Sequence, residues 1–225
     1  MRFSVHRFAA AAAAGVGLLS ACAGAQAANL IQNGSFESPI VGAGGYAIVG
    51  AGNSFTGWDV VGVGNVAPIS GTFSGFGATL NAQDGAQWID MTGATTTGAG
   101  IQQSVSTAPG QVYRLSFWVG NIASGGSTSK IDVKVDGATL FSATNSTLTP
   151  GAFVWERFST TFTATGSTTT LAFFNGDPSG DDNNGLDNIS LAAAVPEPAT
   201  WALMILGFGG AGAVVRSRRR SALTA

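Results

Sequence analysis

An all-β sandwich is the fold this sequence predicts, and three observations predict it. Apolar and polar residues alternate over short segments, the period-two signature of strands with one buried face. Gly, Asn, Asp and Pro bound those segments, as turn-forming residues do. No apolar spacing of three and four residues holds over a useful length, so helices are not expected in the body of the chain. The 165 residues from Ala28 to Ala192 suffice for one domain with a substantial core, and they show no internal repeat.

Taken in order, Asn29–Glu37 is expected as the first strand, and the Gly-rich Ser38–Gly57 as a long loop. Trp58–Val63 reads as a short strand, Gly62–Ala82 is poorly patterned, and Gln87–Met91 reads as the next strand. Ile101–Val105 alternates cleanly and ends at the turn signal Pro109-Gly110. The clearest strand is Gln111–Gly120. Tyr113, Leu115, Phe117 and Val119 share one face, and Arg114, Ser116 and Trp118 share the other. Lys130–Val135 turns Ile131, Val133 and Val135 inward, and Asp136-Gly137 is a hairpin signal leading into Thr139–Ser142. Phe153–Ala164 and Thr168–Phe174 follow. Gly185–Leu191 closes the domain, with Asp187, Ile189 and Leu191 expected on one side.

Composition excludes several chemistries. Cys22 is the one cysteine and His6 the one histidine, and both precede the domain. Ser-His-Asp and Cys-His catalysis are therefore excluded, as are His- or Cys-based zinc sites and disulfides. From Glu37 to Glu197, twelve acidic residues face only Arg114, Lys130, Lys134 and Arg157, a balance of −8. A domain so acidic is a poor partner for nucleic acid. The only glutamates of the domain are Glu37 and Glu156, and neither sits in a recognisable glycosidase pair, so no enzyme is expected.

Both ends carry targeting signals. Met1–Phe8 holds Arg2, His6 and Arg7, Ala9–Leu19 is apolar, and Ala25-Gln26-Ala27 fits a signal-peptidase site. Residues 1–27 are thus expected to be a signal peptide. The rival is Leu19-Ser20-Ala21-Cys22, which resembles a lipoprotein box with Cys22 as its lipidated residue. At the other end, 193–225 opens on Val195-Pro196-Glu197-Pro198, where two prolines hold Glu197 on an extended, accessible peptide. Residues 199–215 carry no charge, and at about 1.5 Å per residue they would span roughly 25 Å as a helix, within the range of a membrane span. Arg216, Arg218, Arg219 and Arg220 follow and would fix that end in the cytoplasm.

The order of Pro196-Glu197-Pro198, Trp201-Ala202, apolar run and arginine cluster resembles the PEP-CTERM sorting signal of Gram-negative bacteria. The resemblance implies an exosortase as partner beside signal peptidase, and anchoring in the inner membrane before processing. Cell surface or extracellular matrix would be the destination. An anchor that is never cleaved is the other reading.

A second resemblance covers most of the domain. Asn29–Glu37, Gly57-Trp58, Asp84–Asp90, Ile101-Gln102-Gln103, Pro109–Phe117 and Leu186–Ile189 follow the order seen in the galactose-binding-like jelly-roll superfamily of carbohydrate-binding modules and related cell-wall domains. It implies a structural calcium held by Glu37 and Asp187 with backbone carbonyls. Calcium wants six to eight hard oxygens. The other reading of this pair is a turn acid and a strand cap. Asp177–Gly185 has acid and amide spacing that would also suit a cation, but reads more simply as a solvated turn.

Sugar recognition needs flat rings for the apolar face of a pyranose and polar groups for its hydroxyls. Trp118 with Arg114, and Trp88 with Gln87 and Asp90, are the candidates for polysaccharide binding, while Trp58 and Trp155 are expected in the core. Non-catalytic binding of exopolysaccharide is the function expected, a structural surface or biofilm-matrix role the alternative, and a glycosidase-like enzyme the remote one.

Overall fold

Where alternation is cleanest, the chain pairs into the longest strands. The computed structural model describes residues 28–94, 98–123, 126, 128–178, 184–194, 203–212 and 216. Its short strands come first: β1 (Val49–Gly50), β2 (Ser54–Phe55), β3 (Trp58–Gly62), β4 (Asn65–Ser70), β5 (Ser74–Gly75), β6 (Ala78–Thr79) and β7 (Gln87–Asp90). The longer ones follow: β8 (Ala99–Ser106), β9 (Val112–Ile122), β10 (Ser129–Val135), β11 (Ala138–Asn145), β12 (Phe153–Thr163), β13 (Thr168–Asn175) and β14 (Gly185–Ala193).

They form two six-stranded antiparallel sheets, β1-β4-β7-β14-β9-β12 and β11-β10-β13-β8-β3-β2, plus the separate hairpin β5-β6. From β7 to β10 each successive strand changes sheet, so the chain repeatedly crosses the core it builds. Tyr113, Leu115, Phe117 and Val119 of β9 are buried between the sheets, as their alternation predicts. Ile131, Val133, Leu171 and Phe173 meet them from the second sheet. Trp58 is buried between Phe36 and Phe173, with ring centroids at 5.8 and 6.0 Å, and its indole N–H donates to the Asn33 carbonyl at 3.0 Å. Asn145 of β11 ties the sheets together, donating to the carbonyls of Val119 and Val154 at 2.8 and 2.9 Å. The Asp136-Gly137 turn has both residues at positive φ (49° and 83°), as a two-residue hairpin requires.

Three expectations are corrected. Asn29–Glu37 makes no strand. Asn33 and Phe36 take positive φ (53° and 57°), and the Asn29 side chain binds the Ile31 and Leu191 amides, so its polar side chains build turns instead. The Gly-rich stretches are not plain loops: Ser38–Gly57 contains β1 and β2, and Gly62–Ala82 contains β4 and the β5-β6 hairpin. In β14 the alternation breaks at a bulge: Asp187 pairs with Trp118 and Ser190 with Ser116, leaving Asn188 (φ 49°) and Ile189 opposite Phe117. The bulge puts Ile189 and Leu191 in the core and Asp187 on the opposite, outer face.

Residues 203–212 and 216 are helical, and no helix among the described residues is long and apolar enough to cross a membrane. The expected signal peptide, Val195–Ala202 and Arg218–Arg220 lie outside the described residues.

Candidate functional site

The outer face of the first sheet is where the structure departs most from a plain sandwich. Residues pointing away from the core there should be polar. Instead Ala67 and Ile69 of β4, Trp88 of β7 and Ile122 of β9 form a second buried apolar cluster with Leu80. Phe153 and Trp155, paired in register with Ile122 and Gly120, wall it on one side. The β5-β6 hairpin covers it from above. Its turn, Phe76-Gly77, has positive φ at both residues (52° and 81°), the geometry of a tight two-residue hairpin. The segment before β1 runs along the edge of β4, bridging Tyr46 to Ile69.

These elements enclose a cavity of about 400 Å³ whose lining includes Tyr46, Ile48, Phe73, Phe76, Trp88 and Asp90. Trp88 is 2% exposed and is held by its indole N–H, which donates to the Leu80 carbonyl at 2.9 Å. It sits 4.8 Å from the Phe153 ring and edge-on to Trp155 at 5.9 Å. Tyr46 meets Phe73 edge-on at 5.8 Å but is itself 58% exposed, and Phe76 is 46% exposed. Rings this exposed are not explained by core packing. Asp90 supplies the carboxylate of the lining, with Oδ1 accepting from the Thr92 amide at 2.8 Å and hydroxyl at 2.6 Å.

Wall geometry depends on two glycines. A Cβ on Gly120 would lie 2.4 Å from the Phe153 ring, and one on Gly185 would lie 2.7 Å from it. A side chain at either position would push against both the Phe153 and Trp155 rings, which meet edge-on at 4.9 Å.

The expected sites divide. Trp88 and Asp90 are brought together at the cavity. Gln87 is not available to a ligand. It is buried, its amide N–H2 donates to the carbonyls of Phe36 (2.6 Å) and Pro39 (3.0 Å), and its oxygen accepts from the Val41 amide. Trp118 and Arg114 lie on the same outer sheet face but do not line the cavity. Trp155, expected in the core, is half-buried in the outer cluster, donating to the Asn81 carbonyl at 2.9 Å. Tyr46, Ile48, Phe73, Phe76 and Phe153 were missed. For Tyr46, Phe73 and Phe76 the available signal was aromatic residues standing in Gly-rich stretches with no alternation to bury them.

Glu37 and Asp187 both grip the loop Gln83–Gln87. Glu37 Oε1 accepts from the amides of Ala86 and Gln87 at 2.8 and 2.9 Å. Asp187 Oδ2 accepts from Gln83 and Asp84 at 2.8 and 3.0 Å, and Oδ1 from Asn188 at 2.7 Å. Burial pushes the Asp187 carboxyl up to about 7, with Asp84 adding to the rise and the three amides opposing it. Oxygens already engaged by N–H donors fit a clamp on a loop better than a shell of six to eight oxygens around calcium. Among the described residues no three His, Cys, Asp or Glu side chains converge as metal ligands. The run from Asp177 is described only at its ends. There Asp177 accepts from the Lys130 amide, and Asn184 donates to the Lys130 carbonyl and to Asn175.

Comparison with known proteins gives two family matches. Residues 29–190 match the family described as "Protein of unknown function (DUF642)", and residues 194–220 match the PEP-CTERM protein-sorting motif. No curated protein matches the chain. Among solved structures, one described as "CBM4 structure and function" is 19% identical at a TM-score of 0.39, covering 73% of this chain and 99% of that one. A tandem of family 22 domains from Paenibacillus barcinonensis is 18% identical at a TM-score of 0.43, covering 77% of this chain and 48% of that one. The EclA C-terminal domain, a sugar-binding protein, is 17% identical at a TM-score of 0.34; the match covers 40% of this chain and spans 64% of that one.

Proposed function

The chain belongs to the DUF642 family, and we propose that this member is an exported surface or matrix protein that binds carbohydrate without catalysis at the aromatic cavity. The observation that carries the reading is the pair of exposed rings, Tyr46 and Phe76, at a cavity floored by Trp88 and bearing the Asp90 carboxylate. Flat apolar surface suits the C–H face of a pyranose, and a carboxylate accepts from its hydroxyls. About 400 Å³ lies at the small end of ligand pockets, so a site this size takes a few sugar units rather than a long chain segment.

The PEP-CTERM motif supports delivery. On this reading the N-terminal segment directs export, the apolar tail holds the chain in the inner membrane, and an exosortase releases it to the surface. A structural matrix protein, the rival reading, needs no such cavity. Calcium at Glu37 and Asp187 is not part of the proposal.

Isothermal titration with oligosaccharides from the producing organism's own polysaccharide tests it. Binding that falls at least tenfold in Tyr46→Ala and in Phe76→Ala is expected. Binding unchanged in both variants would refute the site, and no binding to any fragment would favour the structural role.

A further inference from the structure

A second feature lies on the same outer face, beyond the Phe153–Trp155 wall. The domain has four basic residues. Lys130 is paired with Asp132 at 3.3 Å, and Lys134 sits over the Phe174 ring at 4.4 Å. The two arginines differ. Arg114 and Arg157 are both exposed, and neither has a carboxylate partner among the described residues. The register of β9 and β12 places them on one face. Arg157 stands opposite Trp118, Ser159 opposite Ser116, and Thr161 opposite Arg114. Arg157 itself reaches Ser116 Oγ at 3.4 Å.

This gives a strip with a guanidinium at each end, three hydroxyls between and beside them, and a half-exposed indole. Four residues of strand separate Arg114 from Trp118, roughly 13 Å. Two unpaired arginines kept together in a domain whose balance is strongly negative are matched by charge to an anionic chain. Guanidinium recognises carboxylate bidentately, hydroxyls answer sugar hydroxyls, and the indole offers a face to a ring.

We infer that the strip of Arg114, Ser116, Trp118, Arg157, Ser159 and Thr161 binds a carboxylate-bearing polysaccharide. The inference rests on the carbohydrate reading above and adds that the polymer is acidic and is held at a surface separate from the cavity.

Biolayer interferometry of the full chain in detergent micelles tests it, with immobilised alginate as the charged probe and its neutral propylene glycol ester as the control. The wild type is expected to bind alginate at least tenfold more tightly than the ester, and less tightly as salt is raised. Arg114→Gln with Arg157→Gln should bring alginate binding down to the level of the ester. Lys134→Gln, which removes a cation from the other sheet, should leave it unchanged. Equal binding of alginate and ester, undiminished binding by the double variant, or no binding of alginate would overturn the strip. So would a change in the double variant's sedimentation without polysaccharide, which would make the strip a contact between copies. The ester scores the cavity separately, because Tyr46→Ala either lowers its binding or does not, whatever the arginines do.

Discussion

At Asp187 a single carboxylate is fully buried on the sheet's outer face and answered by the backbone amides of Gln83, Asp84 and Asn188. Burial raises it to about 7 from an ordinary value of 3.8. A raised value means the folded state holds the proton more tightly than the unfolded chain. Its stabilising contribution is therefore complete below about 4, is lost as pH rises to about 7, and stays lost above. Asp187→Asn removes that proton. Thermal melts from pH 4 to 8 should show the wild type losing stability relative to the variant across that window. A constant difference between the two would contradict this account of the residue. Gln87 has the opposite character, a neutral side chain making three bonds to otherwise buried backbone. Gln87→Ala leaves two carbonyls and one amide without partners, and should cost on the order of 3 kcal/mol in chemical denaturation.

Among the elements, the β5-β6 hairpin decides whether the site exists. It is held over the sheet by indole donors, Trp88 to Leu80 and Trp155 to Asn81, and closed on itself by the Leu80 amide bonding the Phe73 carbonyl. Trp88→Phe keeps most of the ring and loses the donor, at a cost of about 1 kcal/mol. Hydrogen exchange should quicken in residues 73–80 while β9 and β14 keep their protection. Uniform quickening would mean that the hairpin is not an independent unit. Its invisibility in the sequence has a physical cause. Strands of two residues cannot display a period of two, and Phe73 and Phe76 serve a cavity rather than a core face. Strand β9 was legible because β12 pairs with all eleven of its residues, β14 lies along its other side from Tyr113 to Gly120, and one face is in the core. The opening segment was misread because Asn29–Glu37 folds into turns that bury Ile31 and Phe36, touching β14 through single backbone bonds (Leu30 to Leu191, Ile189 to Gly34) instead of a ladder. In the same way β14 looked continuous, and only the bulge at Asn188 sends Asp187 outward.

Over the whole molecule, the sandwich was readable because two six-stranded sheets sharing one core impose the same alternation on every long strand. The site was readable at Trp88 and Asp90, on the short strand β7. Phe153 of β12 was read as strand but not as lining, and Tyr46, Phe73 and Phe76 come from Gly-rich stretches whose aromatic residues follow no period. One sheet face thus carries an apolar cavity, an aromatic wall stacked over Gly120 and Gly185, and a polar strip beyond it. Gly120→Ala should fold, yet displace the Phe153 ring and weaken sugar binding several-fold by titration. Unaltered affinity would detach the wall from the site. The most direct test of the central claim is co-sedimentation of the full chain with the insoluble exopolysaccharide of its own organism. Wild type and the double variant Tyr46→Ala with Phe76→Ala would be compared in the same preparation. The account requires the wild type to pellet and the variant to stay in solution while its melting temperature holds. A variant that pellets as completely as the wild type would contradict it.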